Sequence, residues 1–182
     1  FGSGAEFGRE NWTSKMKEDY FGKHIPTDQY GFSKYIMTKY AQSNKNVYNL
    51  RLFGVFGKYE NWRYRFISNA CCRTIMDMPI SINQNARFSY LHIDDLADIT
   101  KWFIDNEPKH NVYNVCPGEV RDLKNLAETV IKTSEKDLGI KIKKQGFARE
   151  YSGDNALLTS EFSGFTFSLI NDKIKKLYKW YE

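Results

Sequence analysis

Residues Tyr30-Gly31-Phe32-Ser33-Lys34 and, a turn later, Asn46-Val47-Tyr48-Asn49-Leu50-Arg51-Leu52-Phe53 decide how this chain folds. The first stretch follows Pro26-Thr27-Asp28, a helix-start pattern, and runs without proline to about Asn44, which predicts a helix. The second alternates polar and apolar residues, the period of a strand. Helix positions four apart stack on one face, roughly 5–6 Å between Cβ atoms, so Lys34 is expected beside Tyr30. An ammonium there favours the phenolate form of the phenol. A tyrosine tuned in this way can pass a proton to or from a sugar or alcohol oxygen. Ser3, in a turn between Gly2 and Gly4, is suited to hold that same oxygen.

Working outward, Phe1–Gly8 reads as a strand end running into a Gly-rich turn, and a polar loop follows to about Gln29. Gly54 and Gly57 punctuate a loop, a helix is expected from Trp62 to about Met76, and two short strands over Ile80–Asn83 and Arg87–Ile93. Asp94 or Asp95 is expected to cap a helix over Leu96–Asp105. Val112–Cys116 reads as a strand, Pro117-Gly118 as a turn, Asp122 as the cap of a helix to about Lys136, and Ile140–Lys143 as a short strand. Ser168 is expected to cap a last helix whose Ile170, Ile174, Leu177, Tyr178 and Tyr181 form one apolar stripe. Strands alternating with helices argue for an α/β fold.

The 182 residues are 41 % hydrophobic and 27 % charged, enough apolar material for a real core and against wholesale disorder. A net charge of +5 suits an anionic partner such as a dinucleotide or a nucleotide-sugar. The lysines (Lys141, Lys143, Lys144, then Lys173, Lys175, Lys176, Lys179) are dispersed without an arginine-rich block, so no nucleic acid is expected. There is no apolar stretch of transmembrane length and no signal peptide, so no membrane is expected either. Cys71, Cys72 and Cys116 form no Cys-x-x-Cys, which fits a reducing cytoplasm; His24, His92 and His110 share no ligand spacing, so no metal is expected.

Five segments then come in one order: Ser3-Gly-Ala-Glu-Phe7-Gly8, Tyr30-Gly-Phe-Ser-Lys34, Arg51-Leu-Phe-Gly-Val-Phe-Gly57, Tyr90-Leu-His-Ile-Asp-Asp95 and Tyr113-Asn-Val-Cys-Pro-Gly-Glu119. That series resembles the extended short-chain dehydrogenase/reductases, specifically the nucleotide-sugar epimerase/dehydratase group. The resemblance implies an α/β fold: the C-terminal part of a Rossmann-like doubly wound sheet plus a smaller mixed α/β substrate-binding domain. Residues 1–57 would carry the Ser/Tyr/Lys site and 58–182 the substrate-binding region, with 87–116 partly returning to the sheet. The dinucleotide-binding half is expected before Phe1, since no Gly-x-x-Gly-x-x-Gly follows a strand here.

The same resemblance implies NAD or NADP as cofactor. It makes Tyr30 the acid/base, Lys34 the ligand of the nicotinamide ribose, Phe53 a further cofactor contact, and Ser3 the hydrogen-bond partner of the reacting oxygen. It also implies a homodimer built through the Tyr-Lys helix. A second Tyr-x-x-x-Lys, Tyr35 with Lys39, lies about 140° round that helix from Tyr30 and is expected to be a surface or packing pair.

Departures from the family pattern narrow the chemistry. Sugar-nucleotide 4,6-dehydratases carry an Asp-Glu pair directly after the serine or threonine, where this chain has Gly4 and Ala5. Neither can move a proton, which disfavours elimination. GDP-fucose synthase has cysteine where Ala5 stands, so 3,5-epimerisation is disfavoured too. A 4-epimerase or a 4-ketoreductase, needing only Ser3, Tyr30 and Lys34, is the expected activity. Gly54, where the family often has a substrate-touching Asn, and Arg87 and Arg149, relics of the family's arginine motifs, are the expected substrate contacts, with Lys58, Arg63 and Arg65 nearby. The competing expectation is a non-catalytic binding or assembly module, using the final helix and the aromatic surplus as an interface.

Overall fold

The central strand of the computed structural model, which covers residues 1–182, is β2 (Asn49–Leu52). It pairs in parallel with β1 (Gly2–Ser3) on one side and with β7 (Val112–Val115) on the other. Between β1 and β2 runs α1 (Gln29–Gln42), capped by Asp28, whose side chain accepts from the Gly31 N–H. The loop before it contains 3₁₀ turns at Arg9–Asn11 and Glu18–Tyr20. After β2 come β3 (Gly54–Phe56), α2 (Phe66–Ile75), β4 (Ile80–Asn85), β5 (Arg87–Phe88), β6 (Tyr90–His92) and α3 (Ile93–Asp105). Beyond β7 lie β8 (Arg121–Asp122), α4 (Leu123–Ser134), β9 (Ile140–Phe147), α5 (Ala156–Glu161) and α6 (Ile170–Tyr181).

Three small ladders surround the main sheet. β3 pairs with β6 and β4 with β9, both in parallel, and β5 pairs with β8 antiparallel. The mixed α/β character and the parallel ladders agree with the expected class. The strand expected over Arg87–Ile93 is broken at Ser89, because β5 turns to β8 while β6 turns to β3. Ser89 N donates to the Tyr151 carbonyl at the break.

Two larger apolar cores flank a smaller one of Phe7, Met16, Phe53, Cys116 and Tyr151. One joins Leu50, Tyr113 and Val115 of the sheet to Leu96, Ile99 and Phe103 of α3 and Leu158 of α5. The other packs α2, α4 and α6 over β4, and takes in Ile170, Ile174, Leu177 and Tyr178 of the expected stripe, with Tyr181 at its margin. Burying such side chains contributes roughly 1.5–3 kcal/mol each, which is why α6 forms despite five charged residues among its twelve.

Two expected caps are corrected. α3 is capped neither by Asp94 nor by Asp95 but by His92, whose Nδ1 accepts from the Asp94 N–H at 3.2 Å. Asp95 is buried and accepts instead from Ser168, from its N–H at 3.0 Å and its hydroxyl at 2.6 Å. Ser168 therefore does not cap α6; the cap position is Leu169, which makes no side-chain bond.

The His92 cap has a pH consequence. Burial depresses its pKa below the ordinary 6.5, the nearby Asp94 carboxylate opposing. The unfolded chain then binds more protons than the folded one below about pH 6.5, so stability should decline as pH falls from there toward the lowered folded value. Urea midpoints taken between pH 7 and 5.5 should follow that slope, and His92→Asn, a competent cap that does not titrate, should flatten it.

Candidate active site

Ser3 ends β1 and caps the 3₁₀ turn Gly4–Phe7, its Oγ accepting from Ala5 N at 3.2 Å while Glu6 reaches back to the Ser3 N–H at 3.4 Å. This capping box fixes the serine rotamer from both sides. α1 packs directly on the turn at Gly31. A β-carbon there would stand 2.7 Å from the Ala5 carbonyl oxygen, so only glycine permits the approach. That contact seats Tyr30 and Lys34, the neighbours of Gly31, beside the serine turn.

Lys34 Nζ donates to the Phe1 carbonyl at 3.0 Å and lies 5.8 Å from the Tyr30 ring centroid. Tyr30 is exposed and Lys34 half-buried. Tyr35, by contrast, is buried against Phe21, ring centroids 4.8 Å apart, with Lys39 Nζ 5.6 Å from its centroid. The second Tyr-Lys pair is thus packing.

Behind the turn lies a fully buried ion pair, Glu6 with Arg51 of β2. Glu6 also accepts from Thr38 of α1 at 2.8 Å, and Arg51 donates to Asn114 of β7 at 2.9 Å. Burial raises the Glu6 pKa, the Arg51 guanidinium opposing it. One carboxylate so ties the serine turn, α1 and the sheet together.

In front of the turn stands an aromatic wall. The Tyr151 hydroxyl is 3.1 Å from Ser3 Oγ, and its ring lies 4.1 Å from Trp12 and 5.2 Å from Phe53, centroid to centroid. Phe53 is clamped between two glycines. A β-carbon on Gly4 would sit 2.6 Å from its Cε1, and one on Gly153 2.4 Å from its Cε2. Phe53, Gly54, Phe88, Tyr90 and Tyr151 line a cavity of about 260 Å³ together with Glu60 and Arg65. Burial raises the Glu60 pKa; its carboxylate accepts from the Ser68 hydroxyl.

Of the expected substrate contacts, Gly54 lines this cavity, with the Tyr90 ring where a side chain would go, a β-carbon falling 2.8 Å from Tyr90 Cδ1. Arg87 does not line it: its guanidinium lies over the Phe147 ring, 4.8 Å from the centroid. Arg149 is exposed and outside the lining as well, while Arg65 is the lining's arginine. Sequence reasoning missed Tyr151 and Glu60. Both are polar residues in loops whose partners lie far off in sequence or inside the cavity, and the nearest signal was the Tyr-Ser-Gly-Asp run itself. No group of three His, Cys, Asp or Glu side chains is placed to hold a metal ion, and no helix is long and apolar enough to cross a membrane.

The model of the NAD dependent epimerase/dehydratase family matches residues 1–116. The match falls on the N-terminal portion of this chain. A curated relative, ADP-L-glycero-D-manno-heptose-6-epimerase of Brachyspira hyodysenteriae, is 27 % identical over 118 residues, 58 % of this chain and 37 % of that protein. Among solved structures, UDP-glucuronic acid 4-epimerase from Bacillus cereus, in complex with UDP-glucuronic acid and NAD, superposes with a TM-score of 0.81 at 18 % identity. It covers 99 % of this chain and 59 % of its own. dTDP-glucose 4,6-dehydratase from Bacillus anthracis, in complex with NAD, gives 0.81 at 16 % identity over 99 % of this chain and 60 % of its own. At those identities the structures speak for the fold, and this chain spans about 60 % of their length. With the serine turn, the Tyr-Lys helix and the parallel sheet inside the matched residues, the chain belongs to the NAD dependent epimerase/dehydratase family.

Proposed function

We propose that this chain carries the proton-handling and substrate-facing part of an NAD(P)-dependent nucleotide-sugar 4-epimerase or 4-ketoreductase. Tyr30 is the acid/base at the sugar oxygen, Lys34 its charged neighbour, and Ser3 the hydrogen-bond donor to that oxygen. The observation that carries the reading is the seating of α1 on the serine turn through Gly31, with Lys34 against Tyr30. Lys34 spends one of its three N–H donors on Phe1 O and is half-buried, which leaves two donors to hold ribose hydroxyls of NAD or NADP with Tyr30. When bound, the nicotinamide supplies or accepts the hydride. Phe53 forms the apolar wall of the site, Gly54 and Arg65 face the substrate, and Arg87 and Arg149 serve only if the substrate extends past the cavity. Residues 1–57, with the returning segment 87–116, form the nucleotide-side unit and the rest of 58–182 the substrate side. The complete enzyme works in the cytoplasm as a homodimer; the exposed Phe32, Ile36, Met37 and Tyr40 on α1 favour that pairing.

The clamp on Phe53 supports plain hydride chemistry. An acid at position 4 would drive its β-carbon into Phe53 and Tyr151, and Glu6, the nearest carboxylate, is tied to Arg51. Both features leave the serine turn without the acid that elimination needs there. The test uses the complete protein in D₂O, with NAD⁺ or NADP⁺ and UDP-glucuronic acid, UDP-glucose or dTDP-glucose for epimerisation, and with NADH or NADPH and a 4-keto nucleotide-sugar for reduction. Inversion or reduction at C4 with no deuterium at C5 is the expected result. Deuterium at C5 or loss of water would refute it, and binding of a nucleotide-sugar without turnover would favour the non-catalytic module.

A further inference from the structure

We infer that Tyr151 is a positioning residue of the active site: its phenol donates to Ser3 Oγ and thereby turns the Ser3 hydroxyl hydrogen toward the reacting oxygen. The inference rests on the proposed role of Ser3. A serine hydroxyl has one O–H to give and two lone pairs to fill. Ala5 N–H occupies one lone pair at 3.2 Å. Tyr151 Oη, at 3.1 Å, is placed for the other. With both filled from within the protein, the remaining O–H has no claimant except a bound oxygen in front of the turn. The alternative hydrogen position for Tyr151, on the Leu52 carbonyl, is 3.5 Å away and at the limit of a useful bond.

Geometry makes the phenol a fixed donor. Its ring is held by Trp12, Phe53 and Phe88, centroids 4.1, 5.2 and 6.0 Å off. Its backbone is held as well, Tyr151 N donating to Arg87 O at 2.8 Å and Tyr151 O accepting from Ser89 N at 3.2 Å. Burial raises its pKa, the Ser3 contact opposing and the Tyr30 phenol adding to the rise, so it stays protonated through the neutral range. A phenol so held turns with neither solvent nor pH, and the serine hydroxyl inherits that constancy.

The test is a double-mutant cycle in the complete protein, with the best-turned-over of UDP-glucuronic acid, UDP-glucose and dTDP-glucose (with NAD⁺ or NADP⁺) and a 4-keto nucleotide-sugar (with NADH or NADPH) as probe. Tyr151→Phe keeps the ring and its packing, and should lower kcat about tenfold with KM within about twofold. In a Ser3→Ala background the same substitution should cost nothing further, because the group it acts through is gone. Wild-type kcat in Tyr151→Phe, or an equal loss in both backgrounds, would overturn the inference. If Tyr151→Phe does not fold, site-specific fluorotyrosine replaces it: kcat must move when Ser3 is present and stay put in Ser3→Ala, and any other pattern overturns the claim. Tyr30→Phe run alongside separates the two levels. If it retains full turnover, or if the wild type turns over no probe, the reading of the site itself fails and this inference with it. If it abolishes turnover while Tyr151→Phe is silent, only Tyr151 is misassigned.

Discussion

Tyr30→Phe in the complete protein should lower kcat by about 10²–10⁴-fold, the usual worth of a positioned acid/base, while leaving the fold untouched. Tyr30 is 52 % exposed at the first turn of α1, so removing its hydroxyl should change stability by no more than about 0.5 kcal/mol. The ring stays to flank the bound substrate, so KM should move little, and a fall in kcat and kcat/KM together marks an interaction made in the transition state. Tyr35→Phe is the internal control. It removes the same hydroxyl five residues on, from a ring packed against Phe21, and should leave kcat within about twofold. The two variants share sequence pattern and helix and differ in which face they occupy, so the comparison isolates position from chemistry. A Tyr30→Phe protein that converts substrate at the wild-type rate would remove Tyr30 from the mechanism.

What the sequence made legible follows the range of the interactions involved. α1 and its Asp28 cap, α4 and its Asp122 cap, and the stripe of α6 were readable because each depends on residues three or four apart. The Tyr30–Lys34 spacing was readable for the same reason, whereas Ser3 was singled out by its Gly-rich turn and the order of the segments. Apart from the cap of α3, which is His92 and not Asp94 or Asp95, the differences are long-range. Ser168 looks like a cap, yet its hydroxyl and N–H go to Asp95, seventy-three positions earlier. Tyr151 meets Ser3 across 148 positions, and no periodicity announces such a contact. Arg87 looked like a phosphate ligand, but the turn of β5 toward β8 carries its guanidinium over Phe147. The Glu6–Arg51 pair did leave a signal. An arginine between Leu50 and Leu52 in the middle of a three-stranded sheet needs a buried carboxylate, and Glu6 is the acid offered by the turn that follows the adjoining strand.

That pair should carry a large stability effect, being fully buried. Arg51→Met should destabilise the fold by about 3–5 kcal/mol, because it strands the Glu6 carboxylate at a site with no solvent access. The loss should depend on pH in a definite direction. The folded pKa of Glu6 already lies above the ordinary 4.5, raised by burial against the Arg51 charge. Without Arg51 it rises further. Between the unfolded and folded values the native state binds the extra proton, so stability contributed by this group falls as pH rises and recovers as pH drops. The deficit of Arg51→Met in urea denaturation should therefore be smaller at pH 5 than at pH 7. The double variant Glu6→Leu/Arg51→Met should recover most of the loss, since two apolar side chains remove both the charge and the desolvation cost. Activity should not recover with it. Glu6 is also what holds the Ser3 N–H and Thr38 of α1, so a stable double variant still lacks the group that keeps the serine turn and the Tyr30 helix in register. A double variant both stable and fully active would mean that the ion pair serves the sheet alone, and that packing at Gly31 suffices to align Ser3 with Tyr30.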